Sequence, residues 1–104
     1  MDEELFEATK LNDTKLVKCL VKHGANVSAE NEIGAPVVIY AAGYGNLQIL
    51  KHLIENGADV NGANVQDQTV LHFTIASAYS ELNEDYIDII RYLVEIKGSL
   101  GHNK

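Results

Sequence analysis

Along most of this chain the apolar residues recur at helical rather than strand spacing. Leu5, Ala8 and Thr9 fall at i, i+3 and i+4, which predicts a short helix over Glu3–Lys10 with acids in its first turn. Leu16, Val17, Leu20 and Val21 mark one face of a second helix, which Asn12 and Asp13 can cap and Gly24 ends. From Val27 to Ala35 the residues are small and polar and include Gly34, a turn or hairpin tip. Pro36 suits the first turn of a further helix, where its missing N–H costs nothing. Gly45-Asn46 makes a turn, and Leu47 to Asn56 is helical again.

One segment reads two ways. Val37-Val38-Ile39-Tyr40 by itself passes for a buried strand. An internal repeat decides for helix. His23-Gly24-Ala25-Asn26-Val27 returns as Asn56-Gly57-Ala58-Asp59-Val60, with Gly24 and Gly57 33 positions apart. Each copy follows an apolar helical run and stops at a Gly suited to a left-handed C′ position. The connector Asn61–Gln68 copies the earlier tip, with Asp67 where Gly34 stands. A third unit opens at Thr69, 33 positions after Pro36, and its second helix covers Tyr86–Glu95. That helix matches the earlier ones at an offset of 40, so seven extra residues lie near 78–84, between helices and away from the tips. Lys97 takes the usual Gly place and Gly98 follows it, so the third C-cap is altered or shifted.

These residues carry a family likeness. The chain resembles ankyrin repeats over essentially its whole length, as three units of about 1–30, 31–63 and 64–104 within a single domain, 1–104. The two Gly-Ala-Asx-Val segments behind matching helices are the specific part of the match. The family signature T-P-L-H-x-A survives in pieces. Thr69-Val70-Leu71-His72 keeps Thr, Leu and His, and Pro36 to Ala41 keeps the final Ala. The resemblance implies an all-α ankyrin-repeat solenoid of three helix-turn-helix units joined by β-hairpin-type loops. Stacking suits the physics, because no single pair of helices can bury its own apolar face. The first unit opens with Asp2, Glu3, Glu4 and Glu7, as a polar cap should. The last helix carries more apolar residues than one buried face needs. Coverage by the inserted residues, a partner or dimer surface, and a longer array are the explanations, in that order.

Charge narrows the partners. The net charge of −7 over 104 residues excludes the basic footprint of a nucleic-acid binder and disfavours an anionic membrane. Residues 30–95 hold ten carboxylates against Lys51 and Arg91, so a partner meeting that region gains by being basic. Acidity that only keeps the protein soluble is the competing explanation. One cysteine permits no intrachain disulfide, and the opening Met-Asp-Glu-Glu has no signal-like pattern. No apolar run approaches membrane-spanning length, so the expectation is an intracellular, cytoplasmic setting.

No catalytic motif stands out, and no metal or cofactor is expected. His72 reads as a structural histidine that bonds the Thr69 hydroxyl and nearby backbone, not as a base. Cys19, His52 and Tyr92 share a repeat position and stack as a column, but two metal ligands fall short of the usual four. Glu81, Glu84, Asp85 and Asp88 lack calcium-loop spacing and read as a solvated acidic turn.

The resemblance places partner-contacting positions on the concave side, at the tips and the exposed face of each first helix. In the first unit these are Lys10 and Leu11, and in the second Glu32, Ile33, Ala35, Gly43 and Tyr44. In the third they are Val65, Gln66, Gln68, Ala76 and Ser77. Glu32, Ile33, Ala35, Tyr44, Val65, Gln66, Gln68 and Ser77 form the expected partner-binding set. The expected function is a non-catalytic protein-binding module, with a monomer favoured over a homodimer. The alternatives are a small acidic inhibitor or immunity-type protein that blocks a basic enzyme such as a nuclease, and a structural or engineered stack without a specific partner.

Overall fold

The computed structural model describes residues 2–80 and 84–101, with side-chain surroundings given as far as Ile96. Six helices follow in order: α1 Asp2–Lys10, α2 Thr14–Lys22, α3 Val37–Gly43, α4 Leu47–Glu55, α5 Val70–Ser80 and α6 Glu84–Gly101. They pair as α1/α2, α3/α4 and α5/α6. First helices pack on first helices, α1 on α3 on α5, and second helices likewise, α2 on α4 on α6. Two layers of helices thus enclose one continuous core. Leu5, Val17, Val37, Val38, Ile49, Leu50, Leu53, Val70, Ile89 and Leu93 are the largest hydrophobic side chains fully buried in it among the described residues. Between units the chain forms a tip closed by a single antiparallel bridge, Glu30 to Pro36 and Ala63 to Thr69.

Local chemistry explains the boundaries. Asp13 caps α2 by accepting from the Leu16 N–H at 3.1 Å, and Asn46 caps α4 through Ile49 at 3.0 Å. At the other end, the Gly24 N–H reaches the Val21 carbonyl and the Ala25 N–H reaches Leu20. Gly57 and Ala58 repeat this with Ile54 and Leu53, the paired bonds of a Schellman stop. Both glycines are left-handed, at φ 101° and 107°, as the repeat requires.

Two expectations shift and one is met. Pro36 is the N-cap of α3 (φ −72°, ψ 155°), one place before the first helical turn, where its carbonyl accepts from Ile39. The third helix stop is displaced as expected, since α6 runs past Lys97-Gly98 to Gly101. The inserted residues lengthen α5 to Ser80, where α3 ends at the position of Ala76. Residues 81–83, including Glu81, lie outside the described residues, as does His102. The insertion also puts Tyr86 at the repeat position of the caps Asp13 and Asn46. Its hydroxyl donates to the Gly43 carbonyl at 3.1 Å, and its ring packs over Gly45. Tyr79, within the insertion, is exposed, and so are Ile87 and Val94.

Candidate functional site

One asparagine builds each tip. Asn31 Oδ1 accepts from the Ile33 and Ala35 N–H groups at 3.1 and 3.0 Å. Asn64 Oδ1 accepts from Gln66 and Gln68, both at 3.0 Å. Main-chain bonds from Asn31 to the Ala35 carbonyl and from Asn64 to Gln68 close the loops, each at 3.1 Å. Each closure needs one left-handed residue, Gly34 at φ 76° and Asp67 at φ 62°. Folded this way, the backbone throws Ile33 and Val65 outward, 68% and 79% exposed.

Behind the first tip lies a file of aromatic rings. Phe6 meets Tyr40 edge-on at 5.7 Å, and Tyr40 stacks on Tyr44 at 6.4 Å. Asn31 Nδ2 donates to the Tyr40 hydroxyl at 2.6 Å, which ties the ring to the tip. The Lys10 ammonium stands 5.3 Å from the same ring. Between α1 and the tip runs a groove of about 580 Å³. Asp2, Glu3 and Glu7 line one side, Glu30 and Glu32 the other, with Phe6, Ile33 and Lys10 among them. Five carboxylates beside one ammonium give this groove a negative field.

The expected partner positions separate. Glu32 and Ile33 line the groove, while Gln66 and Val65 form the second tip. Gln68 is exposed, with its side-chain oxygen accepting from Asn64 Nδ2 at 3.0 Å. Tyr44 is 47% exposed at the end of α3 and borders a second groove on the helix-turn side, next to Asp85 and Asp88. Ala35 is buried, so its methyl has no surface to offer. Ser77 is half-buried and its hydroxyl donates to the Gly43 carbonyl at 3.2 Å, which engages it inside the fold. Sequence reasoning passed over Asp2, Glu3, Phe6, Glu7, Glu30 and Tyr40. The i,i+4 pairs Glu3/Glu7 and Phe6/Lys10 are the signal that could have drawn α1 into the site.

His72 has the structural place expected of it. Its Nδ1 accepts from the Thr69 N–H at 3.0 Å and lies 2.8 Å from the Thr69 hydroxyl, which in turn accepts from the His72 N–H. Cys19 is exposed and its sulfur lies 3.8 Å from His23 Nδ1. His52 Nε2 is buried without a hydrogen-bond partner. Among the described residues, no three His, Cys, Asp or Glu side chains converge as metal ligands would. Burial pushes the Tyr92 hydroxyl above its ordinary pKa, and the Glu55 carboxylate adds to the rise. Among the described residues no helix is long and apolar enough to cross a membrane.

Comparison with known proteins agrees with the geometry. Residues 5–103 match the family model for ankyrin repeats in three copies. A fowlpox virus protein named for ankyrin repeats, FPV228, is 33% identical over 65% of this chain and 13% of its own length. A mimivirus protein so named, R886, is 44% identical over 43% of this chain and 32% of its own. The mouse B-cell lymphoma 3 protein homolog is 34% identical over 64% of this chain and 15% of its own. The chain thus spans under a third of the length of each of these relatives. Ankyrin repeats generally mediate protein–protein interaction, and the family is generally non-enzymatic. With the register of its tips, caps and helix pairs and a family match over nearly its full length, this chain belongs to the ankyrin-repeat family.

Proposed function

We propose that this chain is a non-catalytic protein-binding domain that holds its partner along the tips and first helices. The observation that carries this is the exposure of Ile33 and Val65 on two consecutive tips, whose backbones are held rigid by Asn31 and Asn64. Aliphatic side chains on a rigid rim lose little entropy when a partner covers them. Tyr44, at the far end of α3, supplies an aromatic anchor on the helix-turn side. The groove between α1 and the first tip favours a basic partner surface. The single cysteine, free in this fold, suits a cytoplasmic setting.

Affinity capture with the wild type and an Ile33→Asp/Val65→Asp variant tests this reading. The expected result is one protein retained by the wild type and lost by the variant, with circular dichroism unchanged. A captured set indifferent to the tips overturns it. The carboxylates of the groove also support a second reading, a small acidic blocker of a basic enzyme. Inhibition of the captured partner's activity separates the two.

A further inference from the structure

The short turns between paired helices form a second row on the side away from the tips. Asn12, Gly45 and Asp85 share one repeat position, and Gln48 and Asp88 share another. Helices α2 and α4 begin at Thr14 and Leu47, whose counterpart is Ile87, whereas α6 begins upstream of it at Glu84. The insertion thus gives α6 an extra turn, which carries Asp85 into the row. A groove of about 470 Å³ runs there, lined by side chains of all three units: Asn12 and Thr14, Tyr44 and Gln48, Asp85 and Asp88. It lies across the units rather than at either end of the stack, and it contains no residue of the tips.

The floor of this groove is fixed. Asn46 Nδ2 donates to the Thr14 hydroxyl at 3.3 Å, and Asn46 Oδ1 accepts from the Ile49 N–H. The Tyr44 ring is held by stacking on Tyr40 and still stands half exposed. Its carboxylates are unspent. Asp85 is exposed and has no ion pair among the described residues. Asp88 meets Arg91 only at 3.8 Å, with the arginine side chain 69% exposed, a loose surface pair that a competitor can displace. No lysine or arginine lines the groove.

We propose that this groove seats an arginine side chain of a protein partner. Two carboxylates without a lining cation set the sign of the occupant. The aromatic ring beside them selects guanidinium over ammonium. A guanidinium lays its plane on Tyr44 while its fork of N–H donors reaches Asp85, Asp88 and the amide oxygens of Asn12 and Gln48. An ammonium is a strongly hydrated point charge with no plane to stack. The surface shares only Tyr44 with the rim proposed above, so it adds a second point of attachment that stands or falls separately.

Titration of the isotope-labelled chain with the peptide acetyl-Gly-Arg-Gly-amide, to about 20 mM and followed by amide chemical shifts, tests the proposal. Saturating shifts are expected at Gly45, Asn46, Asp85 and Asp88, with the lysine and citrulline peptides bound about threefold or more weakly. Asp85→Asn/Asp88→Asn should weaken arginine binding about threefold or more. Tyr44→Leu should weaken it roughly two- to fivefold. Ile33→Asp/Val65→Asp should bind the peptide as the wild type does, which separates a failure here from a failure of the tip rim. The spectrum of each variant reports its fold, and Asp88→Asn alone reads the same site if the double variant unfolds. No shifts at these residues, an equal response to arginine and lysine, or shifts centred on Glu3, Glu7, Glu30 and Glu32 each overturns it.

Discussion

The Cγ1 methyl of Val65 lies where a side chain on Gly34 would have to be. One tip therefore rests on the backbone of the tip before it, and both carry the exposed aliphatic residues of the binding rim. Gly34 meets two demands at once, a φ of 76° and the close approach of Val65. Gly34→Ala is expected to cost about 1–3 kcal/mol in urea unfolding, through strain and overlap together. Asp67→Gly, at the matching position of the next tip, should stay within about 1 kcal/mol of wild type.

Tyr92 makes the fold sensitive to alkali. Its hydroxyl is held above the ordinary 10.0, first by burial and then by Glu55. Below pH 10 both folded and unfolded chains keep the proton, and stability is whole. As pH rises past 10 the unfolded chain releases it first, so stability falls until the folded-state pKa is passed. Tyr92→Phe should flatten this part of the pH profile between pH 9 and 11, measured by urea unfolding. An unchanged slope would exclude Tyr92 as its source.

His52 is a polar residue in a place that does not use it. Its Nε2 is buried without a partner, while the matching Cys19 is exposed. His52→Leu removes the unpaired group and should stabilise the protein by about 1 kcal/mol in thermal unfolding. A loss of stability would mean that the ring has a partner in solution.

Tyr86 replaces a helix cap with a bond between units. Tyr86→Phe keeps the ring over Gly45 and removes the donor to the Gly43 carbonyl. A cost of about 0.5–1.5 kcal/mol is expected, in the range of one intramolecular hydrogen bond. Amide exchange should quicken at the start of α6 in the same variant.

If the acidic groove steers a basic partner, neutralising it slows association. Glu30→Gln/Glu32→Gln should lower the on-rate several-fold at low salt and little at high salt, with the off-rate nearly constant. Stopped-flow or surface-resonance kinetics at two ionic strengths reads this directly.

Much of the architecture was legible because it is written in short-range chemistry. The spacing from Gly24 to Gly57 marks two left-handed helix stops, and Asp13 and Asn46 are caps any reader can place. The strand-like Val37–Tyr40 run was settled as helix by the same register, and His72 found Thr69 three residues away. Ile33, Val65 and Tyr44 could be placed on the surface for the same reason, since a repeat states which positions have a core to fill.

What register could not convey is how distant segments share space. Asp2, Glu3 and Glu7 belong to a stretch near charge balance, yet they face Glu30 and Glu32 across one groove. Ala35 turns inward, and Ser77 is taken by the carbonyl of Gly43, 34 positions back along the chain. The insertion's outcome, a longer α5 and a tyrosine in place of a cap, depended on which backbone carbonyl lay within reach. Caps and turns are decided within four residues; grooves, field and end faces arise only when whole units are stacked and their side chains compete for the same volume.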